Sequence, residues 1–136
     1  MIYDCCMDKT DAEIDAALRR WIDYSESVGV SAVFDAGIPG FNEFHERIYG
    51  CLRELDRQGR LPIYIDGCFV ISSACEVEDG LAELKRMREE YDTDHLKVHT
   101  LKLFMVGTLK LHTGAMVTPY ADTGGPSWPV RAFPFP

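Results

Sequence analysis

Leu61–Val70 reads LPIYIDGCFV, and its apolar residues fall on both parities of a strand. A half-solvated strand alternates apolar with polar residues, whereas one that is apolar throughout is covered on both faces, the habit of parallel sheets. Asp66-Gly67 interrupts the run and reads as the carboxyl end of the strand, where it opens into a loop. Upstream, Val30–Asp35 (VSAVFD) is a short β-branched and aromatic run ending in Ala36, Gly37 and Pro39, which reads as a buried strand and its following loop. Downstream, Leu96–Met105 (LKVHTLKLFM) is a longer strand pattern, and Gly107 begins a loop containing glycine and threonine.

Helical spacing fills the intervals. Thr10 and Glu13 stand at capping-box distance, and Ile14, Ala17, Leu18, Trp21 and Ser25 recur on one face as far as Ser27, with Gly29 closing the helix. Phe41 to Gln58 repeats the scheme with Phe44, Ile48, Cys51, Leu52 and Leu55, and Gly59 stops it. From Glu76 to Tyr91 the period is set by Val77, Leu81, Leu84, Met87 and Arg88, with acidic residues early and Lys85, Arg86 and Arg88 late, as the helix dipole prefers.

The order α-β-α-β-α-β with short connections favours parallel strands joined by right-handed crossovers. Such alternation suits either a segment of a (β/α)8 barrel or a small doubly wound sheet. A whole barrel takes about 250 residues, so a chain of 136 residues has room for roughly half of one. The expected fold class is therefore α/β, a partial TIM barrel of three parallel strands alternating with helices. Residues 1–125 form its globular part. Residues 126–136 (PSWPVRAFPFP) are too rich in proline to continue a helix or a central strand, and read as an irregular tail.

A net charge of -8 argues against an electrostatic grip on nucleic acid or an anionic membrane. No run approaches the length of a membrane span, and Met1 to Asp11 lacks the layout of a signal peptide, so a cytoplasmic protein is expected. Cys5, Cys6, Cys51, Cys68 and Cys75 form no C-x-x-C pair and read as small hydrophobes or incidental thiols. Nucleotide-binding loops, the nucleophile elbow and H-E-x-x-H are all missing.

Lys102 is the most informative single residue. It shares strand parity with Leu96, Val98 and Phe104 and so is expected to point where apolar side chains point. A buried ammonium needs a carboxylate, a lost proton or a chemical conversion; the competing reading is that its head snorkels past the strand end to water. Asp35 and Asp66 are expected at carboxyl ends of strands, where barrel enzymes place functional groups, although each suits a cap or turn equally well. His95 and His99 border a strand rather than a helix and make a poor metal pair. His112 falls in the loop after the third strand, within reach of a substrate there, and His45 reads as a surface residue in mid-helix.

GVSAVFDAG (Gly29–Gly37) and LKLFMVGTLKLHTGAMVTPYAD (Leu101–Asp122) resemble the amidohydrolase family 3 proteins, the group containing N-substituted formamide deformylases. The resemblance implies a metal-dependent hydrolase barrel acting on non-peptide carbon-nitrogen (amide) bonds, of which this chain supplies the second to fourth strands. Lys102 matches a lysine that is carboxylated in that superfamily to bridge two metal ions. Asp35, Gly37, Asp66, Gly107, His112, Thr113 and Tyr120 would line the mouth of the site, with Pro119 beside them. The first-strand H-x-H pair and the later histidines are missing, and Val106 stands where the family carries Asp. No complete catalytic set is therefore expected: zinc or another divalent metal belongs to the full-length family and is not expected on this chain alone. A small amide would be substrate only if the barrel were completed, and unpaired sheet edges imply self-association or a complementary barrel fragment. The alternative is a non-catalytic α/β binding or interaction domain derived from such a barrel.

Overall fold

A computed structural model describes residues 8–103. The elements in chain order are α1 (Asp11–Ser27), β1 (Ala32–Phe34), α2 (Asn42–Arg57), β2 (Tyr64–Ile71), a turn of 3-10 helix (Ala74–Glu76), α3 (Val77–Tyr91) and β3 (Leu96–Leu103). The strands form one sheet in the order β1-β2-β3, and both neighbouring pairs are parallel. Gly107, His112, Thr113, Pro119, Tyr120 and the proline-rich tail lie outside the described residues.

The first helix starts as its capping box dictates: the Thr10 hydroxyl accepts the Glu13 N–H while the Glu13 carboxylate accepts the Thr10 N–H. The second begins after the turn at Ile38–Phe41 and buries His45, Tyr49, Leu52 and Leu55. Its buried stripe is rotated from the expected one, because Tyr49 rather than Cys51 faces the sheet. His45, read from the sequence as a surface residue, is only 5% exposed. On α3 the buried positions are Gly80, Leu84, Met87 and Tyr91, and Leu81, expected on the inner face, is 52% exposed.

Strand order equal to chain order, with right-handed crossovers, puts the crossover helices on one face of the sheet. Burial follows. Ile65, Leu96 and Val98 join Tyr49, Leu52, Leu55, Met87 and Tyr91 in one core, and Val33 packs against it. On the opposite face Phe34 and Tyr64, on adjacent strands, are 54% and 57% exposed. The expectation of a buried first strand thus fails at Phe34, and that of a second strand covered on both faces fails at Tyr64. No helix among the described residues is long and apolar enough to cross a membrane.

One irregularity resets the far half of β3. Gly67 pairs with Val98 but Cys68 pairs with Thr100, so His99 is an extra residue, a β-bulge. Beyond it the parity reverses: Leu101 packs against the core, while Lys102 lies beside Val70 on the other face. The expectation that Lys102 shares a face with Leu96 and Val98 counted an unbroken period of two, and the bulge breaks it. Asp66 is likewise not at a strand end; it is the third residue of β2, which continues through Gly67 to Ile71.

β2 is eight residues long and β1 only three, so upper β2 has no strand on its β1 side. Side chains from α2 take that place. The Tyr49 hydroxyl accepts the Cys68 N–H at 2.9 Å, and the Asn42 amide both accepts the Val70 N–H at 3.1 Å and donates to the Val70 carbonyl at 2.8 Å. A Cβ on Gly67 would stand 2.7 Å from the Tyr49 ring, so only glycine lets the ring approach. Tyr49→Phe is expected to cost about 1–3 kcal/mol by leaving buried polar groups unpaired. Gly67→Ala is expected to cost about 1–3 kcal/mol by overpacking. Chemical denaturation of both variants checks this.

Candidate functional site

The polar groups of the molecule converge where β1 runs into its following loop. Asp35 extends the ladder by one bond, its N–H donating to the Asp66 carbonyl at 2.8 Å. Its carboxylate is fully used: one oxygen accepts the Gly37 N–H at 2.9 Å, closing an Asx turn, and the other accepts the Tyr49 hydroxyl at 2.9 Å. Gly37 sits at φ 62, and a Cβ there would meet Val70 Cγ2 at 2.4 Å and Cys68 Sγ at 2.6 Å. The loop is thereby pressed onto upper β2, burying Cys68 and Val70 on the face away from the helices.

Lys102 closes the same corner from the other side, its Nζ donating to the Ala36 carbonyl at 2.5 Å. The bond spans from β3 across upper β2 to the loop after β1, so the ammonium has a partner that needs no metal. Asp66 lies beside Phe34 in the ladder, half-buried, and its Oδ1 is buried without a hydrogen-bond partner.

Burial shifts three groups at this corner toward their neutral forms. Burial, with Asp35 nearby, pushes the Tyr49 hydroxyl far above its ordinary range, so it stays a neutral donor. Burial and the same carboxylate push the Cys68 thiol up to about 11, too high for a thiolate nucleophile at neutral pH. His45 is lowered by burial, with Asp35 opposing weakly, and its Nδ1 has no partner. His95 and His99 are each held by a carboxylate of their own, Asp56 at 2.9 Å and Asp92 at 2.6 Å. Among the described residues no group of three or more His, Cys, Asp or Glu side chains could hold a metal ion.

Asp35, Gly37, Asp66 and Lys102 lie near one corner of the sheet. Tyr49 and Asn42, which organise that corner, and His45, buried beside it, were missed by sequence reasoning. The available signal was that His45, Tyr49 and Leu52 share one helical stripe, although a histidine and a tyrosine on it gave no reason to prefer that stripe to the more apolar one beside it.

The site belongs to an α/β unit with a three-stranded parallel sheet alternating with helices. No protein-family model matches the sequence, and no solved structure matches it. Over 96 residues the chain is 32% identical to the exoenzymes regulatory protein AepA of Pectobacterium carotovorum subsp. carotovorum, a match covering 71% of this chain and 20% of that protein. The chain spans about a fifth of the length of the curated relative it matches.

These comparisons correct the resemblance to amidohydrolase family 3. A match to a protein described as a regulator, with no family model matched, leaves the metal-dependent hydrolase reading and its zinc without support. The motif residues have another physical origin. Asp35 caps a turn, Gly37 is required where no side chain fits, and Lys102 ties the loop to β3.

His45 gives a pH test. Its folded value lies below the unfolded one near 6.5, so the unfolded chain binds the proton first. Its share of stability is present above that value and is lost as pH falls toward the folded value. Urea denaturation at several pH values is expected to show stability falling from about pH 6.5 downward. In His45→Gln that slope is expected to be shallower.

Proposed function

We propose that the chain is a non-catalytic α/β interaction module that works by associating with another polypeptide. In finer terms, its three strands are a barrel-like segment. Sequential strand order supports this reading over a doubly wound sheet, which reverses its order and covers both faces with helices.

The observation that carries the proposal is the open edge of β1 with exposed aromatics beside it. Phe34 on that edge and Tyr64, diagonal to it on β2, are each more than half exposed on the face away from the helices. An open edge flanked by exposed aromatics invites pairing with another polypeptide. Asp66, Lys97 and Thr100 flank them half-buried, so the patch has polar groups able to orient a partner. The Pectobacterium relative, named as a regulator, adds that a stretch of this kind occurs in a regulatory protein. The proposed partner is protein, either a second copy or a complementary fragment, and the net charge of -8 disfavours nucleic acid and anionic lipid.

Sedimentation velocity over a range of protein concentrations tests this. The wild type is expected to associate as concentration rises, and the double variant Phe34→Glu, Tyr64→Glu is expected to stay monomeric with an unchanged far-UV circular dichroism spectrum. A wild type that remains monomeric throughout, or a double variant that associates equally well, contradicts the proposal.

A further inference from the structure

Among the described residues, no strand lies beyond β1 beneath the inner face of α1. Leu18, Trp21, Val33, Ile48 and Leu52 enclose a hollow of about 300 Å³ that also reaches β1. A second hollow of about 500 Å³ shares Leu18, Trp21 and Ile48 and runs on toward Ala17. The first, a largely apolar trough, lies alongside β1; the second extends it along α1, where Lys9, Glu13 and Arg20 join its rim. The Ser31 carbonyl and the Asp35 N–H bond to β2, so the alternate residues Ala32 and Phe34 turn their N–H and C=O groups outward, into that trough.

The opposite edge of the sheet is closed for half its length. Thr93 satisfies both backbone groups of Leu96, and the Asp92 carboxylate accepts the Val98 N–H at 2.8 Å. Beyond the bulge the register turns the backbone groups of Leu101 and Leu103 outward, and no neighbouring strand meets them among the described residues. The side chains of Leu101 and Leu103 are half-buried.

The two open stretches match in length and chemistry. One offers two outward residues beside an apolar trough roofed by a helix; the other offers two outward residues whose leucines are half-covered. Resting on the association proposed above, we infer that the trough beneath α1 receives the Leu101–Leu103 stretch of β3 from a second copy, parallel and head to tail. Leu101 and Leu103 then pack under Leu18 and Trp21 of the neighbour, and the ladder continues from β3 into the neighbour's β1. The overhang of α1 disfavours the symmetric alternative, since two β1 edges brought together would force two copies of α1 into the same space. The outward faces of the end helices suit the same arrangement, with Tyr24 on α1 and Leu81 on α3 both more than half exposed.

A head-to-tail interface has two different halves, so each can be blocked alone. Ala17→Glu with Ala32→Pro closes the receiving half, placing a charge in the trough and removing an outward N–H without touching the ladder to β2. Leu103→Pro closes the inserting half in the same way. Each variant by itself is expected to sediment as a monomer, and an equimolar mixture is expected to form a 1:1 pair and nothing larger. Amide exchange of the wild type, which needs no substitution, is expected to show protection of Ala32, Phe34, Leu101 and Leu103 rising with protein concentration. Self-association of either variant alone, a mixture that stays as two monomers, or protection that does not change at those four amides overturns the head-to-tail arrangement. If the wild type associates while the mixture does not, this inference fails and the broader reading stands; a wild type that never associates removes both.

Discussion

Upper β2 is held by side chains where a strand would ordinarily lie. β1 stops after three residues, and the groups of β2 that face the vacated side are taken by Tyr49 and Asn42 of α2. A buried amide left without a partner costs about 1–3 kcal/mol, so these bonds decide whether an eight-residue strand can stand beside a three-residue one. The same Tyr49 hydroxyl fixes Asp35, and Asp35 fixes the turn at Gly37. Packing, turn geometry and the Lys102 tie to Ala36 thus all descend from one helix contributing polar groups to a sheet.

This construction has a consequence for how the molecule meets others. Because α2 closes the upper part of β2, and Asp92 and Thr93 close the lower part of β3, what stays open among the described residues is confined to Ala32 and Phe34 on one side and Leu101 and Leu103 on the other. Edges left open in a stable protein invite pairing, and short ones restrict what can pair. The polar corner is the reverse: its carboxylate, lysine and tyrosine make internal bonds that hold the loop after β1 against the sheet.

The helices and the parallel order were legible in the sequence because amphipathic spacing and capping chemistry are local. The capping box at Thr10 and Glu13 forms as read, and all three helix spans agree to within a residue or two. What could not be read depends on long-range register. His99 is an inserted residue only because of how β3 lies against Gly67 and Cys68, and it alone moves Lys102 to the other face. Asp66-Gly67 looks like a strand end by composition, yet Gly67 is there to admit the Tyr49 ring and the strand continues. The motif around Asp35 and Lys102 suggested a metal hydrolase because the residues that secure a tight loop on a parallel sheet resemble those that line an active site. The comparison with a regulatory protein and the bonds these residues make correct that reading.

The amide protons of Cys68 and Val70 test the central claim most directly, since neither faces a neighbouring strand and each depends on a side chain of α2. Residue-resolved hydrogen exchange of the wild-type chain is expected to find both among the slowest amides of the sheet, as slow as those bonded between β2 and β3. If they exchange as fast as solvent-facing edge amides, α2 does not stand in for the missing strand, and the account of upper β2 is contradicted.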